Sequence, residues 1–121
     1  VLPKQNRLSK DLEIKKAYRT RFCSQSKYFK IYLKKTENPN FQLLVVVSKK
    51  IFKKANKRNR VKRKIYAIFD RMLAGHHLPG NTSCIVQVID QQAIQQRQDQ
   101  LKTELTNILS SLYLKIQQTD I

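Results

Sequence analysis

Residues 41–73 read FQLLVVVSKKIFKKANKRNRVKRKIYAIFDRML, and three patterns succeed one another within them. Phe41–Val47 is apolar and β-branched, the composition of a buried strand. Its unbroken run Leu43–Val47 predicts a central position covered on both faces. Lys49–Lys64 then carries ten Lys or Arg in sixteen residues, with no acid among them. Overlapping that tract, Val61, Ile65, Ile68, Phe69 and Met72 recur at i, i+4, i+7, i+8 and i+11. They form one apolar stripe on a helix predicted from about Lys57 to Leu73, with Gly75 as its stop. At about 100° per residue, Asn59, Arg60, Arg63 and Tyr66 fall on or near the opposite face, flanked by Arg58 and Lys62. The positive charge is therefore carried on a folded, core-anchored surface rather than on a loose tail.

Working outward, Ser9 can cap a helix running to about Arg21, with Leu8, Leu12 and Phe22 marking its buried side. Ser24–Lys27 reads as a loop. Tyr28–Leu33 is rich in aromatic and β-branched residues and predicts a strand. Alternation puts Lys30 and Tyr32 on one face of it, with Phe29 and Leu33 on the other. Thr36–Asn40 carries turn chemistry, so this strand and Phe41–Val47 are expected to form a hairpin. Gly75–Ser83 is a loop with Pro79-Gly80-Asn81 as a turn, and Cys84–Ile89 is a third strand. Gln91–Gln100 reads as a solvated loop and helix start. The last helix spans roughly Arg97–Lys115, with Leu101, Leu105, Ile108, Leu109, Leu112 and Ile116 as its core stripe. Gln117–Ile121 is expected to fray. The order is helix, strand, strand, helix, strand, helix, with no repeat and no composition break. That predicts one α+β domain over residues 1–121, an α/β sandwich on a small mixed sheet.

The formal charge of +17, from 25 basic and 8 acidic residues, is self-repelling unless a polyanion neutralises it. No apolar run approaches the roughly 20 residues of a spanning helix. The opening VLPKQNRL is not a signal peptide. A cytoplasmic protein without a membrane role is therefore expected, with Cys23 and Cys84 as reduced thiols. His76 and His77 are read as loop residues rather than metal ligands. The carboxylates are scattered, and no nucleophile–base or phosphate-loop spacing appears, so catalysis by the protein itself is not expected. What the tract does offer is phosphate chemistry. Arginine forks grip phosphate oxygens at two points, and lysines act as mobile point charges. Asn59 adds a donor–acceptor pair. A merely solvating face would intersperse carboxylates, and this one has none. Lys49, Lys50, Lys53, Arg58, Asn59, Arg60, Lys62 and Arg63 are the candidate nucleic-acid contacts. Of the nearby aromatics, Phe29 suits the core, while Tyr18 and Tyr32 suit stacking on unpaired bases.

Val47-Ser48-Lys49-Lys50, followed by Lys57-Arg58-Asn59-Arg60-Val61-Lys62-Arg63, resembles the bacterial ribonuclease P protein family, and so does Asn6-Arg7-Leu8 before a helix. The likeness extends over nearly the whole chain in element order. It implies an α/β sandwich whose basic helix sits in a left-handed βαβ crossover, against the usual hand. It further implies an RNA-binding subunit of a ribonucleoprotein that removes the 5′ leader of precursor tRNA by metal-dependent phosphodiester hydrolysis. Catalysis would then belong to the RNA subunit. Mg²⁺ would be held mainly by that RNA, and no obligate protein partner would be needed. By position, Arg58, Asn59, Arg60, Lys62 and Arg63 match the family's RNA-contacting motif. Ile14, Tyr18, Lys30 and Tyr32 match its leader cleft, with Tyr66 as a further stacking candidate. Three residues depart from the family pattern. Tyr66 replaces a frequent Arg, Phe52 a frequent Gly, and Ile14 a frequent aromatic. Charge alone would fit a general RNA-binding or ribosome-associated protein equally well; the motif favours the first reading.

Overall fold

Two periodicities build the molecule, period 2 in the strands and 3.6 in the helices. The computed structural model describes residues 2–119. It contains strands β1 (Cys23–Gln25), β2 (Phe29–Lys35), β3 (Phe41–Val47) and β4 (Thr82–Val88), in spatial order β1-β2-β4-β3. β2 runs antiparallel to both β1 and β4, and β3 runs parallel to β4. The helices are α1 (Asp11–Tyr18), α2 (Ala55–Ala74) and α3 (Gln98–Thr119), with 3₁₀ turns at Lys4–Asn6 and Gln91–Gln95. This is the expected α+β sandwich on a mixed sheet, with one further strand.

Register sets the main core. Phe29–Val88–Val47, Ile31–Val86–Val45 and Leu33–Cys84–Leu43 form rows across one face of the sheet. Onto them α2 places Val61, Ile65, Ile68, Phe69 and Met72, and α3 places Leu101, Leu105, Leu109, Leu112 and Ile116. All are buried, each contributing roughly 1.5–3 kcal/mol for a large side chain. Ile108 lies half-buried at the margin of that stripe. The opposite face is covered in part by α1 and the segment before it. There Leu8, Ala17 and Ile85 are buried, with Ile14, Tyr32, Leu44 and Val46 packed around them.

The expected hairpin is not formed, because β4 lies between β2 and β3. Two strand spacings are about 10 Å, which five loop residues span easily. A turn signal therefore does not distinguish a hairpin from a connection that passes one strand. The loop is held by Thr36 N–H donating to Asn81 O (2.8 Å) and Asn81 N–H donating to Pro39 O (3.4 Å). Gly80 permits that approach, since a Cβ there would lie 2.5 Å from the Pro39 carbonyl oxygen.

β3 is largely covered on both faces yet stands at the sheet's edge; the inner strands are β2 and β4. The outer edge of β3 is occupied by other parts of the chain. Leu8 N–H donates to Leu43 O (3.0 Å), Asn6 Nδ2 donates to Phe41 O (2.8 Å), and Tyr66 Oη accepts from Val45 N–H (3.2 Å). An open apolar edge would invite pairing with another chain.

Four local expectations are corrected or refined. α1 starts after Lys10 rather than at a Ser9 cap and ends at Tyr18; its buried residue is Ala17, while Leu12 is 65% exposed. Cys23–Gln25 pairs with β2, so the expected loop 24–27 is partly strand. α2 does stop at Gly75, its C-cap, but the left-handed residue that closes the end is His76 (φ 58°) and not Gly75 (φ −85°). His76 N–H donates to Leu73 O (3.1 Å) and His77 N–H to Met72 O (2.9 Å), the paired bonds of a Schellman end. Finally, α3 continues through Thr119, so the expected frayed segment is helical at least that far; residues 120–121 lie outside the described residues. No helix among the described residues is long and apolar enough to cross a membrane.

Candidate nucleic-acid interface

The connection from β3 to α2 and the first turns of α2 carry the basic tract. Lys49, Lys50, Lys53, Asn59, Arg60 and Arg63 are exposed, and Lys62 is half-buried. Val61 and Ile65, buried beneath them, fix the helix so that this face points outward. Arg58 differs from its neighbours. It is half-buried, and its Nη1 donates to Phe52 O (2.8 Å) and Lys53 O (2.9 Å). The guanidinium thereby ties the lysine-bearing turn to the helix. Phe52 supplies the other anchor, at 6% exposure within the main core. This core side chain pins the turn from below. The first turn of α2 holds no acidic residue and its N-cap makes no side-chain bond. Cations there oppose the helix dipole, a cost of about 0.3–1 kcal/mol each that a bound polyanion would offset.

Tyr66 does not share the displayed face. It is half-buried, packs on the main core and binds the edge of β3 through its hydroxyl. The structure groups it with Leu2, Arg7, Arg63, Ala67, Asp70 and Arg71 around a hollow of about 600 Å³. Arg7, noted in the sequence only within the Asn6-Arg7-Leu8 motif, and Arg71 were not among the expected nucleic-acid contacts. Arg71 follows Arg63 at i+8, a spacing that keeps the two near one side of a helix.

Ile14, Tyr18, Lys30 and Tyr32 are brought together on the other face of the sheet. Tyr18 and Tyr32 meet edge to face, with ring centroids 5.0 Å apart and planes at 70°. Lys30 Nζ lies 5.3 Å from the Tyr32 ring centroid. Ile14 packs with Tyr32 on the same small cluster. Tyr18 remains 37% exposed. Burial first, then the neighbouring Tyr32, pushes its phenol above the ordinary value. A hydrogen bond with Tyr32, followed by charge interaction with it, holds the Lys30 ammonium above its usual value. Near neutral pH the Tyr18 phenol is therefore neutral and Lys30 is a cation.

A mixed α/β sandwich with an acid-free basic tract leading into a core-anchored helix and a separate tyrosine–lysine patch defines a nucleic-acid-binding protein. The comparisons narrow that class. The Ribonuclease P family model matches residues 2–113, and the chain belongs to that family. Its members are RNA-binding proteins of tRNA processing that associate with an RNA subunit. Among solved structures, the RNase P protein of Staphylococcus aureus is similar at 25% identity, covering 87% of this chain and 93% of that one, with a TM-score of 0.72. A second structure of the S. aureus protein gives 26% identity, 93% and 92% coverage and a TM-score of 0.66. The Thermotoga maritima RNase P protein shares the fold at 24% identity, with 85% and 94% coverage and a TM-score of 0.73. No curated protein sequence matched the chain.

Proposed function

We propose that this chain is the cytoplasmic protein subunit of a ribonuclease P that removes the 5′ leader from precursor tRNA, with the RNA subunit carrying the catalysis. The observation that carries this reading beyond family membership is the separation of two surfaces by the sheet. α2 packs on one face and presents its cations outward. Tyr18, Tyr32 and Lys30 lie on the opposite face. The cationic helix suits the phosphates of the folded RNA subunit, with Arg60 and Arg63 as phosphate ligands and Arg58 as a partly structural one. The tyrosine patch suits a single-stranded leader, where stacking contributes about 1–3 kcal/mol per base. Mg²⁺ belongs to the RNA in this reading. Among the described residues there is no group of three His, Cys, Asp or Glu that could hold a metal ion.

The test is reconstitution. Purified protein alone should leave precursor tRNA intact. With its RNA subunit and Mg²⁺ it should raise cleavage and sharpen preference for leader-bearing substrate. Absence of stimulation would leave only a general RNA-binding role. Tyr32→Ala should weaken binding of precursor tRNA more than of mature tRNA; equal loss for both would remove the leader contact.

A further inference from the structure

The glutamines of the 3₁₀ turn Gln91–Gln95 are held beside the basic tract rather than left in a mobile loop. Ala93 at the turn's centre is fully buried. From α2, Lys64 Nζ donates to Ile94 O (2.7 Å) and to Gln96 O (3.5 Å). Asp90 Oδ1 accepts from Gln92 N–H (2.7 Å), and Gln96 Nε2 donates to Gln92 O (3.3 Å). Thus Lys64 and Asp90 are spent on the turn's backbone. The side chains of Gln91, Gln92 and Gln95 make no hydrogen bond among the described residues, and all three residues are exposed. They line a hollow of about 370 Å³ together with Lys53, Lys54 and Lys57, while Ile51, Phe52 and Ile94 supply its apolar lining.

That combination separates two kinds of recognition. Ammonium groups only donate, and they suit phosphate oxygens. A carboxamide donates and accepts at adjacent atoms, and so matches a base edge with the same pattern; glutamine pairs in this way with the N6 and N7 of adenine. Unpaired RNA exposes such edges, and the apolar lining suits the face of a base. The hollow lies within the size range of small-ligand sites. We infer that the Gln91–Gln95 turn and Lys53, Lys54 and Lys57 form a subsite for one unpaired nucleotide of RNA, adenosine preferred, with lysines on the phosphate and glutamines on the base. This rests on the RNA-binding reading above and adds base discrimination to it.

The test titrates the full chain with labelled ten-nucleotide oligoadenylate, oligouridylate and oligocytidylate across a range of salt. The wild type should favour oligoadenylate. Q91A/Q92A/Q95A, which leaves Ala93 and Ile94 in place, should cut that preference about fivefold or more without changing the salt slope. K53A/K57A should weaken all three oligonucleotides alike and lower the slope by roughly one to one and a half. An unchanged preference in the glutamine variant overturns the base-reading subsite, even where the lysine variant behaves as stated. An unchanged slope in the lysine variant overturns the phosphate contacts, and with them the RNA reading of this turn. A photo-crosslinker on Gln95→Cys, in a Cys23→Ser background, then identifies the source within the complex of protein, RNA subunit and precursor tRNA. An adduct at an unpaired adenosine of the RNA subunit or of the precursor supports the subsite and says which RNA fills it. Adducts confined to paired regions refute it.

Discussion

Replacing Phe52 with alanine removes a ring that is 6% exposed and packed in the main core. Large-to-small changes of this kind cost about 3–5 kcal/mol, because the transfer term is joined by a cavity the surroundings refill only partly. Against a total stability of roughly 5–15 kcal/mol, this is a large share. The same residue's carbonyl oxygen accepts from Arg58 Nη1 at 2.8 Å, so the loss should also loosen the lysine-bearing turn. Urea unfolding followed by circular dichroism reads the effect. With a slope of about 2 kcal/mol per molar, the midpoint should fall by roughly 2 M. Phe52→Leu should recover more than half of the loss. A fall of less than about 0.5 M for Phe52→Ala, at unchanged slope, would refute the assignment of Phe52 as a core anchor.

Tyr66→Phe keeps the ring but takes away the oxygen that accepts from Val45 N–H. Unfolding free energy should drop by about 1 kcal/mol, with RNA affinity unchanged; a loss of affinity at unchanged stability would return Tyr66 to the binding surface. Arg60→Ala and Arg63→Ala should each reduce the salt dependence of RNA binding by about one, and an unchanged slope removes that residue from the phosphate contacts. Burial pushes the Cys84 thiol far above its usual range, so it stays neutral in the folded protein. The unfolded thiol ionises near pH 8.5. The stabilisation from keeping it neutral is therefore complete below that pH and is lost as pH rises above it, by about 1.4 kcal/mol per unit. Unfolding midpoints measured from pH 8 to 10.5 should fall more steeply for wild type than for Cys84→Ala; parallel curves would contradict this.

Much of the site was legible because charge and periodicity are local properties. The stripe Val61–Met72 is buried as its 3.6-residue spacing implies, and that alone turns Asn59, Arg60 and Arg63 outward. Alternation likewise placed Lys30 and Tyr32 opposite Phe29 and Leu33. Tyr66 was misplaced because it lies beside the stripe, where whether it meets solvent depends on what stands next to the helix. Here that neighbour is the free edge of β3, whose Val45 N–H needs an acceptor. Gln91, Gln92 and Gln95 are exposed, as their composition implies, but nothing in their spacing reveals Lys64 reaching the turn's backbone at Ile94 and Gln96 from another element.

By itself, the sequence determined the types of the three helices and the three longer strands, the apolar stripes and the cationic helix face, since each follows from neighbours within a few residues. It also carried the family motif. Strand order was decided only in three dimensions. Leu43–Val47 and Cys84–Val88 are both apolar enough for a central place. The choice fell to β4 because β3 could find partners for its open edge in Asn6, Leu8 and Tyr66, at distances in sequence that no local pattern records.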